Sequence, residues 1–179
     1  MSQEQSQRPQ TNQFPEQPPA KPRDAALMQG TENQALDPGL VLDKNAITIG
    51  EALEASAVTR AGDKPLDQSD AAAIQAAEMR ATGKNQTEPG GLGAMAQSAA
   101  TRNTRTMPHQ KTTLADVVSG AREKLGADKA VTREDAEGVI GAELRNKDDI
   151  RTTPGGVAGS MAAAATLNQK TLEFLQYYS

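Results

Sequence analysis

The sequence predicts a chain that is mostly intrinsically disordered in dilute water with conditional α-helices. Where it folds, it predicts an all-α structure of duplicated three-helix repeats. Two observations lead there. Core-forming residues are scarce: Leu, Ile, Val and Phe make up about 15% of 179 residues, below the roughly 20% at which a packed core becomes doubtful. Against that, the chain is internally duplicated, and each copy carries helix caps and alanine-rich segments.

Composition sets the outer limits. The chain has 2% aromatic residues, no Trp and a net charge of −4. Much of its 36% hydrophobic content is alanine, which has little surface to bury against an ordering cost of roughly 1–2 kcal/mol per residue. Low hydrophobicity rather than charge repulsion carries the expectation of disorder. The mild acidity gives no field that would draw the chain to nucleic acid or an anionic membrane. With no cysteine, disulfides, thiolate ligands and a cysteine nucleophile are excluded. The start, MSQEQSQRPQTNQF, has no apolar segment, so no signal peptide is expected. No apolar run has the roughly 18–20 residues of a membrane span.

Residues 1–23 are rich in Gln and Pro. Pro9, Pro15, Pro18, Pro19 and Pro22 exclude a continuous helix, so this stretch reads as a disordered tail. Residues 24–46 read as a truncated repeat, because Asp24-Ala25-Ala26-Leu27-Met28-Gln29 echoes Asp70-Ala71-Ala72-Ala73-Ile74-Gln75. Two full copies follow, at 47–103 and 112–169, joined by a linker at 104–111. Shifted by about 65 positions, Ile47–Asn103 lies on Thr112–Asn168 without a gap, with about 16 of about 57 positions identical. Residues 170–179 form a C-terminal tail.

Each copy divides into three helices. The first opens at a capping box, Thr48-Ile49-Gly50-Glu51 or Thr113-Leu114-Ala115-Asp116, in which Thr accepts from a backbone N–H and the acid reaches back. In the second copy Leu114, Val117, Val118, Ala121 and Leu125 share one face at helical spacing. The equivalent face of the first copy, Ile49, Ala52, Leu53 and Ser56, is poorer. The second helix starts near Asp67 or Thr132 and ends near Gly83 or around Asn146–Asp149. It carries Ala71, Ile74 and Ala77, or Ala136, Val139, Ile140 and Leu144. The third follows Pro89-Gly90-Gly91 or Pro154-Gly155-Gly156, read as a flexible joint before an alanine-rich helix. Such short helices are marginal alone in water.

The sequence offers no catalytic, cofactor-binding or metal-ligating residue. His109 is the single histidine, lies in the linker, and has no second His or Cys to complete a site. Pro89-Gly90-Gly91-Leu92-Gly93 lacks the Gly-Lys-Ser/Thr ending of a phosphate loop and no strand precedes it, so it reads as helix-start punctuation. Arg102, Arg105, His109 and Lys111 make a mildly basic, solvated linker without the aromatics of a nucleic-acid platform. Glu78/Glu143 and Arg80/Arg145 recur in register and read as surface charges. Met79, Met95 and Met161 read as minor packing residues. Asp148-Asp149 lacks the spacing of a calcium loop. Thr171–Tyr178, which holds most of the aromatics, reads as packing on the repeats or as a loose end.

These residues together resemble the seed maturation protein domain of plant late embryogenesis abundant proteins. The resemblance rests on Asp70-Ala71-Ala72, Ile74-Gln75-Ala76-Ala77-Glu78, then Pro89-Gly90-Gly91, then Ala96-Gln97-Ser98-Ala99-Ala100-Thr101-Arg102-Asn103, in this order and largely repeated in the second copy. There Ala162 and Ala163 replace the Gln-Ser of the last segment. The resemblance covers Asp24 to about Gln169. It implies a non-enzymatic protein that accumulates late in seed development, is associated with desiccation tolerance, and resides in cytoplasm and nucleus.

Two functions are therefore expected. One is a protectant that becomes helical as water is lost and shields nonspecific client proteins or dehydrated surfaces, with no cofactor, no specific nucleic acid and no membrane span. The other is a folded helical module that binds a specific nuclear or cytosolic partner. The oligomeric state is left open.

Overall fold

The computed structural model describes residues 45–178. The tail 1–23 and nearly all of the truncated repeat 24–46 lie outside the described residues. The described part is all-α, as the duplicated caps predict. Its helices are α1 (Ile49–Ala57), α2 (Gln68–Thr82), α3 (Leu92–Asn103), α4 (Leu114–Val118), α5 (Ala121–Lys124), α6 (Arg133–Arg145) and α7 (Val157–Tyr178). A 3-10 turn, Pro108–Gln110, lies in the linker.

The helices start where the sequence places their caps. Thr48 and Glu51, and Thr113 and Asp116, form complete capping boxes at α1 and α4. Asp67 with Asp70 and Thr132 with Asp135 do the same at α2 and α6. Each box satisfies backbone N–H groups that the first helical turn leaves without a partner. Gly83 ends α2 in the left-handed region at φ 70°, where glycine has no Cβ to clash.

Two features depart from the sequence reading. The single first helix expected in the second copy is broken: α4 stops at Val118, and Gly120 turns the chain at φ 71° before α5. Its apolar face survives the break, since Leu114, Val117, Val118, Ala121 and Leu125 are all buried. At the other end, α7 runs through Tyr178. Thr171–Tyr178 is thus helical and exposed rather than packed on the repeats. Phe174 is 60% and Tyr177 83% exposed, and the rings of Phe174 and Tyr178 meet at a tilt of 45° with centroids 4.5 Å apart.

The two copies are interlocked. Within each, the second helix packs on the third: α2 on α3, and α6 on α7. Across the copies α2 packs against α6, α1 against α7, α4 and α5, and α3 against α4. The first helix of one copy therefore leans on the third helix of the other. Loops complete the exchange. Among the described residues there is no strand, but two isolated antiparallel bridges, Thr48 with Ala130 and Pro65 with Thr113, join the copies reciprocally. Ile49 N donates to Lys129 O and Leu114 N to Lys64 O. Val131 N donates to Ile47 O and Leu66 N to Thr112 O.

The core lies between these helices and is built largely of methyl groups. Of 28 buried apolar residues among those described, 15 are alanine. Ile49, Leu53, Leu66, Ile74, Leu92, Leu114, Val118, Val139, Val157 and Met161 supply the bulk. Ala71, Ala73, Ala77, Ala96 and Ala100 let helix axes approach closely, but each removes little apolar surface from water. The core expected from the second copy is only partly realised: Val139 is fully buried, whereas Ile140 and Leu144 are half-buried.

Candidate functional site

The distinctive chemistry of this fold lies in buried polar side chains rather than in a cleft. Glu78, Glu143, Asp70, Asp135, Asn103 and Asn168 are all buried. They form three pairs related by the duplication. Glu78 and Glu143 overturn the expectation of surface charges: they are 1% and 0% exposed. Buried carboxylates require partners, and the partners here come from the Pro-Gly-Gly segment.

Gly91 is the N-cap of α3 and has no side chain with which to cap it. Glu78, on the neighbouring helix, takes that role. Its Oε1 accepts from Leu92 N at 2.9 Å and its Oε2 from Gly93 N at 3.2 Å. A carboxylate at a helix N-terminus also meets the positive end of the helix dipole. The glycines make room for it. A Cβ on Gly91 would collide with Glu78 Oε1, and one on Gly93 would lie 2.7 Å from Oε2. Gly90, at φ 74°, turns the chain into the helix. The position a phosphate would take in a phosphate loop is thus filled by the protein's own carboxylate.

The second copy uses the same glutamate differently. Glu143 Oε1 accepts from Thr153 N at 2.7 Å and pairs with Lys147 Nζ at 3.2 Å. Its Oε2 is buried without a protein hydrogen-bond partner. Lys147 Nζ continues to Thr153 Oγ1 at 2.7 Å and Arg151 O at 3.1 Å. The lysine replaces Thr82 of the first copy, so a salt bridge stands where the first copy has helix N–H groups.

Asp70 and Asp135 close their capping boxes and each meets a lysine six residues back. Lys64 Nζ is 3.3 Å from Asp70 Oδ2, and Lys129 Nζ is 2.8 Å from Asp135 Oδ2. Burial pushes the Asp70 carboxyl above the usual range; its box amide and Lys64 oppose this, but nearby Asp67 adds like charge. Its Oδ1 is buried without a partner. At Asp135 burial also acts upward, but the bonds from Lys129 and Thr132 outweigh it and hold the carboxyl below the usual range. Deeper burial of Asp70 leads the difference, its lysine contact is longer, and its cap Asp67 is charged where Thr132 beside Asp135 is neutral.

Asn103 and Asn168 fasten the two copies. Asn103 Nδ2 donates to Leu66 O at 2.9 Å and Thr112 O at 2.7 Å, and its Oδ1 accepts from Thr112 N at 2.9 Å. Asn168 repeats this on Val131 O at 2.9 Å, Ile47 O at 2.9 Å and Ile47 N at 2.8 Å. Sequence reasoning assigned these asparagines no role. The signal was present: both are identical between copies, and each falls on the buried face set by Ala96, Ala99 and Ala100 or by Met161, Ala164 and Ala165.

The other residues weighed from the sequence are scattered. His109 is exposed in the 3-10 turn, and Arg102 and Arg105 are exposed beside it. Arg80 reaches Asp135 at 3.9 Å and Glu134 at 3.6 Å, whereas Arg145 is exposed. Met161 is fully buried and Met95 is 42% exposed. Asp148 and Asp149 are exposed. Among the described residues no group of three or more His, Asp or Glu is placed to hold a metal ion, and no helix is long and apolar enough to cross a membrane.

Comparison with known proteins assigns the sequence to a family. The family model for seed maturation protein matches residues 47–106 and 112–171. Late embryogenesis abundant protein D-34 of Gossypium hirsutum is 62% identical over 143 residues, which are 79% of this chain and 53% of that protein. Late embryogenesis abundant protein 31 of Arabidopsis thaliana is 57% identical over 151 residues, 84% of this chain and 56% of that protein. Late embryogenesis abundant protein 3 of the same plant is 52% identical over 150 residues, 82% of each chain. The chain thus spans about half the length of the first two relatives. No solved structure matches.

Proposed function

The chain belongs to the seed maturation protein family, a late embryogenesis abundant seed protein, and on that premise we propose that it protects cell components during desiccation by folding as water is lost. The observation that supports this reading is the pairing of a thin, alanine-dominated core with completely capped helices and buried polar ties. Apolar burial contributes about 25 cal/mol per Å², so a core of methyl groups offsets the ordering cost of roughly 1–2 kcal/mol per residue only narrowly. The chain in dilute water is then mostly disordered. As water is withdrawn, backbone N–H and C=O groups lose their solvent partners and must satisfy one another. Helix does this within one segment, as it does in lipid. The capping boxes select which segments become helical.

In this reading the protein is non-enzymatic, carries no cofactor and acts in cytoplasm and nucleus. The repeat pair, 47–103 and 112–169, is the working unit. It separates nonspecific client proteins or dehydrated surfaces by occupying the space between them. The test is a drying assay. An enzyme that loses activity on drying is dried and rehydrated with the protein or with a variant carrying both Asn103→Ala and Asn168→Ala. The reading expects recovery with the native chain and markedly less with the variant. Equal recovery with an inert polymer of the same mass would overturn it.

A second reading, a helical module folded in water that binds a specific partner, is favoured by the reciprocal ties between the copies. A sharp, cooperative thermal transition in dilute buffer supports it.

A further inference from the structure

The contact between the two copies is self-complementary. Ile49 N to Lys129 O has its counterpart in Leu114 N to Lys64 O, and Val131 N to Ile47 O in Leu66 N to Thr112 O. Asn103 on Thr112 has its counterpart in Asn168 on Ile47. A contact of this kind is indifferent to which molecule supplies the second half. Each first helix also depends on the opposite copy for its packing.

We infer that this chain exchanges repeats with a second copy of itself. The first repeat of one molecule closes on the second repeat of another through the same ladder, and Thr104–Lys111 is the hinge. The hinge contributes no buried residue. Its backbone bonds are local: Arg105 N to Arg102 O, Thr106 N to Asn103 O and Gln110 N to Met107 O. Opening it costs little beyond these turns, and the swapped form recovers every contact between the copies. What keeps the exchange within one chain is tethering. A short linker gives the second repeat an effective concentration on the order of millimolar. Exchange between chains competes once the protein itself approaches that concentration, as it does when water is removed. The inference rests on the fold alone, not on the protective reading.

The test uses the full chain, with helix content recorded by circular dichroism in an excluded osmolyte that favours the compact state. Light scattering expects monomer at micromolar concentration and a growing dimer fraction near about 1 mM. Register is read by cross-linking. Glu54 and Arg122 meet across the copies at 2.9 Å, and the native chain has no cysteine. Chains carrying E54C and chains carrying R122C are mixed in denaturant, refolded together near about 1 mM, and joined with a short bismaleimide. Several-fold more E54C–R122C links than like-with-like links supports exchange. A helical monomer throughout, or equal yields of matched and mismatched links, overturns it.

Discussion

Asn168 grips the backbone of Ile47 at both ends of one residue, accepting from its N–H at 2.8 Å and donating to its C=O at 2.9 Å across 121 positions of sequence. A side-chain amide here does what a second neighbouring strand would do for a half-buried residue whose C=O also accepts from Val131 N. Asn103 treats Thr112 in the same way. The joint between the copies is thus held by two side chains and a few backbone bonds.

Asn103→Ala and Asn168→Ala are each expected to destabilise the fold by about 2–3 kcal/mol, since each leaves one buried carbonyl, Leu66 O or Val131 O, and one backbone N–H, of Thr112 or Ile47, without its partner. Isosteric Asp retains the acceptor but loses both donors and is expected to be no better at neutral pH. Urea unfolding in a stabilising osmolyte measures the differences. A loss under about 0.5 kcal/mol, the range of surface substitutions, would show that the ties are incidental.

The glycines after proline separate into two kinds. Gly91→Ala drives a methyl group into Glu78 Oε1, whereas Gly156→Ala meets Thr153 Cβ at 3.0 Å and no carboxylate. The first is expected to cost clearly more stability than the second, in the range of about 1–3 kcal/mol for a buried group displaced from its partners. The two single variants, melted side by side in the same stabilising osmolyte, check this. Equal losses would mean that Glu78 does not cap α3.

Asp70 and Asp135 are expected to respond to pH in opposite senses. Asp70 has a raised folded-state value, chiefly through burial. The folded state binds its proton first, so its contribution to stability grows as pH falls toward the ordinary carboxylate range, above about 4. Asp135 has a lowered value: burial acts upward, but the bonds from Lys129 and Thr132 together outweigh it. Its contribution is complete above the unfolded value of about 4 and is lost as pH falls through the folded one. Asp70→Asn is therefore expected to be neutral or stabilising at pH near 7 and Asp135→Asn destabilising. Urea midpoints of both variants in a stabilising osmolyte, from acid to neutral pH, test the signs, and parallel behaviour of the two would refute the assignment.

Local signals made the helix starts legible. Thr48-Glu51 and Thr113-Asp116 are capping boxes in sequence and in space. The break at Ser119-Gly120 was hidden because the apolar spacing continues across it, and all five residues of that face stay buried. Glu78 and Glu143 were misread because their partners lie 14 and 10 residues further on, in a loop that only the tertiary fold brings back. The recurrence of Asn103 and Asn168 was visible in the sequence, but its purpose was not, because the acceptors belong partly to the other copy. Scarcity of large apolar residues suggested a poor core, and the fold answers it with alanine, whose small size allows close helix packing but adds little hydrophobic stabilisation.

The most direct measurement is far-ultraviolet circular dichroism of one sample, taken from dilute buffer to a slowly dried film. Folding driven by water loss predicts little helix in buffer and a steep rise on drying toward the content of α1–α7, with a smaller rise in the doubly substituted N103A/N168A chain. Strong helix already present in dilute buffer, melting cooperatively on heating, would contradict it.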